Sequence, residues 1–452
     1  MAETADQKNT QQRLEALTAA LHSGTADQVR QLLASLHPAE IGDLLESLPH
    51  GPREILWELV DAEDKGEALV EVNDEVRAGL IEEMETDQLV AITEGLDTDD
   101  LADLLHDLPG AVIHELLYSM DKQNRHRLEA ALSYPEDTAG GLMDMDVVTV
   151  RANVSLDVVL RYLRLRGEIP DLTDSLMVVD RFDHYQGLLP LATLLTRDPD
   201  ASVAEVMNAD VEGIPASMED DAVARLFEDR DLISAPVIDD AGKLLGRITI
   251  DDVVDVIRDE ADHSLMSMAG LDEESDIFAP AILSARRRSI WLGINLATAF
   301  LASWVISLYE GTLEKVVALA VLMPIVASMG GIAGSQTLII MIRGLALGQV
   351  GPSNSRTLMY KEILVSMMNS LIWSLVVAVV AMGWFQSTRI GLIIGVALTI
   401  NLVCAALAGV SIPLALKRLG IDPALAGSVL LTTVTDVVGF MAFLSLGTWY
   451  LM

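Results

Sequence analysis

Residues 424–451 read ALAGSVLLTTVTDVVGFMAFLSLGTWYL. The stretch is long enough to cross a hydrocarbon core of about 30 Å. It carries one charged residue, Asp436, near its middle. A carboxylate at that depth is costly in lipid and is expected to face a protein interior or a water path. Thr432, Thr433 and Thr435 set hydroxyl oxygens beside it, and Gly439 lies one turn further on. Carboxylate and hydroxyl oxygens suit a hard, oxygen-seeking cation, so the stretch reads as pore lining. The structural alternative is a buried acid that only pins neighbouring helices together.

Four more apolar stretches precede it, at 290–308, 315–342, 362–384 and 390–416. Arg286, Arg287 and Arg288 stand before the first. Arg343, Arg356 and Lys361 lie between the second and third, and Lys417 and Arg418 between the fourth and fifth. The two other loops carry only Lys315 and Arg389. Basic loops stay on the cytoplasmic side, which puts the N-terminus inside and the C-terminus outside. The second stretch contains MPIVASMGGIAGSQ (323–336), whose Pro324 and glycines are expected to break the helix beside a cavity or to pack it closely on a neighbour. Asn401 in the fourth reads as an interhelical hydrogen-bonder, and Cys404, the one cysteine, as a small buried hydrophobe.

The chain has 452 residues, a net charge of −37 and a mean hydropathy of +0.37. These coexist because charge and hydrophobicity are segregated. Ten of the 30 basic but only five of the 67 acidic residues lie beyond residue 280, so the first part carries −42 and the second +5. The acidic part is no footprint for nucleic acid and attracts cations. The polar start, MAETADQKNTQQ, is no signal peptide, so the acidic part is expected in the cytoplasm.

Within residues 10–135 the pattern is helical, with an internal repeat: PAEIGDLLESLP (38–49) and TDDLADLLHDLP (98–109). Units of this kind stack as helical hairpins into a small superhelix. Most acids here, Asp99, Asp100 and Asp103 among them, read as helix caps and a solvated face, and His106 as a surface residue. From about 139 the pattern changes to β-branched runs alternating with helices. VVDRFDHYQGLLPLATLL (178–195) aligns with VIDDAGKLLGRITIDDVV (237–254) at an offset of 59. The strand–turn–GRITIDD pattern resembles a CBS domain, and two in tandem resemble a CBS pair, which implies binding of adenine nucleotides or cations. Asp252, Asp255, Asp259 and Asp262 share one helical face and repel one another, so a counterion is expected there. Glu219, Asp221 and Asp231 add acidity to the module.

The fold expected is a multidomain membrane protein. An all-α superhelical N-terminal domain (1–135) precedes an α/β tandem CBS pair (136–262). A connecting helix (263–285) then leads to an α-helical membrane domain of five spans (286–452). That order, with DPALAGSVLLTTVTDVVG and the Pro324–Gln336 stretch, resembles the MgtE family of magnesium channels over nearly the whole chain. The resemblance implies a homodimer with one pore in the bilayer of the cell membrane, and a pore Mg²⁺ held by Asp436 of each subunit. It implies regulatory Mg²⁺ at Asp99, Glu219, Asp221, Asp231, Asp252, Asp255 and Glu260, with Asp422 before the fifth span, and ATP as a further ligand of the CBS pair. Ile332 and Ser335 stand where the family has asparagines, Ala426-Gly427-Ser428 where it has Ser-Gly-Pro, and His263 and Ser264 where it has acids. Transport of Co²⁺ or Mn²⁺ and a membrane-anchored CBS receptor are the alternatives. No Ser/His/Asp set, Walker loop or HExxH argues for an enzyme.

Overall fold

Short amphipathic segments closed by Leu-Pro or polar turns fold into a run of short helices: α1 (Ala26–Leu33), α2 (Pro38–Glu46), α3 (His50–Leu59), α4 (Lys65–Val70), α5 (Asp74–Glu82), α6 (Thr86–Ile92), α7 (Thr98–Asp107), α8 (Gly110–Ser119) and α9 (Lys122–Ala131). The structure, a computed structural model, describes residues 26–451 apart from 94, 95, 97, 109, 121, 272–274 and 352. The Leu pairs of the two repeat copies, Leu44–Leu45 and Leu104–Leu105, are buried in one core with Leu56, Leu69 and Leu128. The first copy is not capped by an acid. His37 caps α2, accepting from the Ala39 N–H at 3.3 Å, while Glu40 accepts from the His37 N–H at 3.1 Å. Asp99, Asp103 and His106 are on α7, and their side chains lie outside the described residues.

The duplication is realised strand for strand. In the first module β1 (Thr149–Arg151) and α10 (Leu156–Arg166) precede β2 (Ser175–Val179) and β3 (Tyr185–Pro190), with α11 (Leu191–Thr196) and α12 (Val203–Val206) after them. In the second, β4 (Ile214–Pro215), α13 (Asp220–Arg230), β5 (Ser234–Ile238) and β6 (Leu244–Thr249) lead into α14 (Ile250–Ser267). Each module is a three-stranded sheet with one parallel and one antiparallel pairing. The turns are built twice in the same way. Asp180 accepts from the Phe182 and His184 N–H groups, and Asp239 from those of Ala241 and Lys243. The left-handed position is Asp183 in one turn and Gly242 in the other.

Among the described residues, five helices are long and apolar enough to cross a membrane: α15 (Ala281–Ser307), α17 (Val317–Ala346), α18 (Ser355–Phe385), α19 (Thr388–Arg418) and α20 (Pro423–Leu451). A short α16 (Glu310–Lys315) joins the first two. Of the two readings of this stretch, close packing holds and the break does not, since α17 runs unbroken through Pro324 and the glycines. One proline removes a single ladder bond, and the glycines serve close packing. A Cβ on Gly330 would lie 2.2 Å from Asn401 Nδ2, and one on Gly334 2.9 Å from Leu431 Cδ1. Serines and alanines of α18 (Ser366, Ser370, Ser374, Ala378, Ala381) form a buried stripe at three- to four-residue spacing. Gly391 and Gly395 of α19 meet its far end.

The chain divides into two compact units, Met1–Asp262 with Glu274–Ala279, and His263–Glu273 with Pro280–Met452. The expected connecting helix is shorter than 263–285: α14 stops at Ser267, and Ala281 already belongs to α15. In the second unit Met268 joins a small core with Leu338, Ala424 and Leu431, and His263 Nε2 lies 3.5 Å from Asp422 Oδ2.

Candidate metal-ion sites

Asp436 sits at the middle of α20, half-buried, with no hydrogen bond or ion pair to another described residue. It lines a groove of about 550 Å³ with Thr432 one turn before it. Ala327, Ser328, Gly331, Ile332, Ser335, Gln336 and Ile339 of α17 form the opposite wall. These recur every three to four residues, so one face of α17 meets the carboxylate. Of the three flanking threonines only Thr432 lines the groove; Thr435 is buried and donates to the Thr432 carbonyl at 3.0 Å. Gly439 packs on Asn401 instead. Asn401 is fully buried and donates from Nδ2 to the Val326 carbonyl at 2.8 Å, the interhelical role read from the sequence.

Asp422 does separate work. Its Oδ1 and Oδ2 accept from the Ala424 and Leu425 N–H groups at 2.9 Å each, capping α20. Fourteen residues of helix put it about 21 Å along the axis from Asp436, so the two cannot hold one ion.

The first unit gathers acids around α14. Asp252 accepts from Thr249 N and Oγ1 at 3.2 and 3.1 Å. Burial, then Asp251 and Asp100 of α7, push its carboxyl up to about 7. Asp255 and Asp259 flank Arg258 at 3.7 and 3.5 Å. Asp43 of α2 and Glu71 after α4 feel the same guanidinium, and the charge of Asp255 reaches Glu71. All three of Asp43, Glu71 and Asp255 are raised, first through desolvation by the neighbouring helices although their side chains are exposed. One arginine thus stands among four carboxylates. Glu260 is exposed on the same helix.

The remaining acids do not converge. Glu219 is the N-cap residue of α13, and Asp221 pairs with Arg225 at 2.8 Å. Asp220 between them is raised, first by burial and then also by Asp137 and its two neighbours. Asp231 caps the other end of α13 in the left-handed conformation. Eleven residues of helix separate the two ends by about 16 Å, so Asp231 belongs to a different neighbourhood from Glu219 and Asp221.

Three family models match the chain: a divalent cation transporter model over residues 323–446, an MgtE intracellular N domain over 36–137 and a CBS domain over 203–259. The magnesium transporter MgtE of Thermus thermophilus is 32% identical over 436 residues, 95% of this chain and 96% of its own length. The chain belongs to the MgtE family. The magnesium transporter MgtE of Bacillus subtilis is 26% identical over 95% of this chain and 96% of its own. Among solved structures, the cytosolic domain of the Mg²⁺ channel MgtE in complex with ATP matches with a TM-score of 0.50 at 33% identity, covering 54% of this chain and 99% of that one. MgtE proteins are transporters or channels rather than enzymes, and the N domain, CBS pair and five candidate membrane helices described above are this family's parts.

Sequence reading missed several polar residues of this MgtE chain. Glu362, near the start of α18, is buried, accepts from Thr337 Oγ1 at 3.4 Å and lies 3.7 Å from Lys361 Nζ. Its place at the edge of an apolar stretch hid it. His50, Glu54 and Glu83 bring ligand atoms within 4.8 Å of one another on the N domain. The spacing of His50 and Glu54 was visible; the approach of Glu83 was not.

Proposed function

We propose that this chain is a Mg²⁺ uptake channel or transporter, with Asp436 as the cation-binding carboxylate of its conduction path. The observation that carries this reading is Asp436 at mid-helix, without a partner among the described residues and facing a groove walled by the small and polar face of α17. A carboxylate at that depth with no cation beside it is anomalous unless a mobile cation visits it. Serine, threonine and glutamine oxygens suit an ion that keeps much of its water shell, as Mg²⁺ does. The groove is open on one side, and a second copy of the chain supplies the missing wall in a homodimer. The basic loops set the N-terminal unit in the cytoplasm and the C-terminus outside.

The acids around α14 act as the sensor. At low cytosolic Mg²⁺, Asp43, Glu71, Asp252, Asp255 and Asp259 repel one another. At high Mg²⁺ the ion bridges them, favours the compact arrangement and shifts the population toward a closed path. Glu260 belongs to this group, and Asp99 is assigned to it by the family resemblance alone; Glu219 and Asp221 form a second, Asp231 a third, and Asp422 holds the end of α20. The likeness to an ATP-bound cytosolic domain supports nucleotide binding at the CBS pair, and no step of transport passes through it.

The test is divalent-cation flux into liposomes holding the purified protein, with Mg²⁺ varied on the cytoplasmic face. Flux that falls as that Mg²⁺ rises supports path and sensor together. Entry of Co²⁺ or Mn²⁺ without Mg²⁺ would change the substrate, and no divalent flux would leave a membrane-anchored receptor.

A further inference from the structure

Arg53 and Asp276 are 223 positions apart and take no part in the acid clusters. Arg53 is on α3, on the face of buried Leu56 and Trp57, and is only 5% exposed itself. Its Nε donates to the Leu45 carbonyl and its Nη2 to the Leu48 carbonyl, both at 2.8 Å, closing the end of α2. The outer edge of the guanidinium holds Asp276 with two bonds, Nη1 to Oδ2 at 2.8 Å and Nη2 to Oδ1 at 3.0 Å. Asp276 donates its own N–H to Glu75 Oε2 of α5 at 2.8 Å, and its Oδ1 accepts from the Phe278 N–H at 2.8 Å.

A buried fork-to-carboxylate pair is a poor source of net stability but an exacting one for register. Here it fixes one short segment, residues 275–278, against α2, α3 and α5. That segment leads directly into the first membrane-spanning helix, α15, which begins at Ala281. Five residues reach at most about 18 Å when fully extended. A larger displacement of α3 must therefore break the pair or pull on the start of α15.

We infer that Arg53 and Asp276 form a positioning pair that couples movement of the N-terminal helices to the first membrane helix, transmitting Mg²⁺-dependent closure along a route separate from α14. The inference rests on the proposed transport reading, and the test separates the two. In liposomes, Asp276→Asn and Arg53→Lys keep the maximal flux at low Mg²⁺ within twofold of wild type. Both raise the cytoplasmic Mg²⁺ for half-inhibition at least fivefold. Unchanged half-inhibition, or a maximal flux that drops while half-inhibition stays put, overturns the coupling. Hydrogen exchange on the unmodified full-length protein needs neither flux nor a variant. The Asp276 and Phe278 amides gain protection with Mg²⁺ in step with those of α3; independent behaviour overturns the pair's role. If wild-type flux ignores cytoplasmic Mg²⁺ while these amides still move together, the sensor reading fails and the pair stands.

Discussion

Asp252 and Asp436 are both half-buried carboxylates on helices, and they are held in opposite ways. Asp252 lies in a crowd, bonded to Thr249, beside Asp251 and near Asp100, with burial and repulsion raising its proton affinity. Asp436 has no partner among the described residues and faces hydroxyls, an amide and apolar walls. In the crowd, charge is neutralised by whichever proton or cation is available, which is what the proposed sensor requires. In the groove a lone charge stands apart, as the proposed conduction path requires.

The comparison breaks most readily at Asp436. A charge at that depth is worth about 3 kcal/mol, roughly 100-fold in rate. Asp436→Asn should lower Mg²⁺ flux by about that factor with normal assembly, whereas Asp252→Asn should keep maximal flux and weaken inhibition by cytoplasmic Mg²⁺. Equal loss of maximal flux in both would erase the distinction. The next largest effect is steric. Gly330→Val puts carbon where Asn401 Nδ2 already sits; overpacking of this kind costs about 1–3 kcal/mol. The detergent-solubilised protein should lose about 5 °C in thermal midpoint, and an unchanged midpoint would show that α17 can step aside.

In the crowd the effects are smaller. Arg258→Ala leaves Asp43, Glu71, Asp255 and Asp259 without their shared cation. The first unit should then melt about 2–4 °C lower in chelator, with Mg²⁺ restoring most of the loss. Full melting stability without metal would mean that the acids do not repel. The smallest effect is with pH. A carboxyl raised to about 7 when folded binds its proton more tightly than in the unfolded chain. Stability therefore falls as pH rises from about 4 through 7 and levels off above. In chelator the first unit should melt higher at pH 6 than at pH 8, and Asp252→Asn should flatten that difference; an identical slope would assign it to other groups.

Local patterns were readable in the sequence. The 59-residue offset reappears as β2 with β5 and β3 with β6. The paired leucines mark the N-terminal core, and a lone aspartate among apolar residues marks the groove. What stayed hidden depends on contacts across the chain. Nothing near Arg53 announces Asp276, and nothing near Asp43 announces Glu71 or Arg258. The glycines of α17 were ambiguous because breaking a helix and packing one closely need the same missing side chain. Only the positions of Asn401 and Leu431 opposite them decide it.

The serine stripe of α18 bears on biogenesis. Helices α18 and α19 are joined by Gln386 and Ser387 alone, a connection that sets them antiparallel. Ser366 donates to the Leu402 carbonyl at 2.7 Å, and Thr399 to Ser374 Oγ at 3.0 Å. None of these bonds waits for residues made later, so the hairpin can close in the bilayer while the ribosome still holds α20. The crossing at Asn401 needs Gly330 of α17 and Gly439 of α20 together. The helix that carries Asp436 is thus made after this hairpin, and a nascent chain halted before α20 holds a finished hairpin without the proposed cation-binding carboxylate.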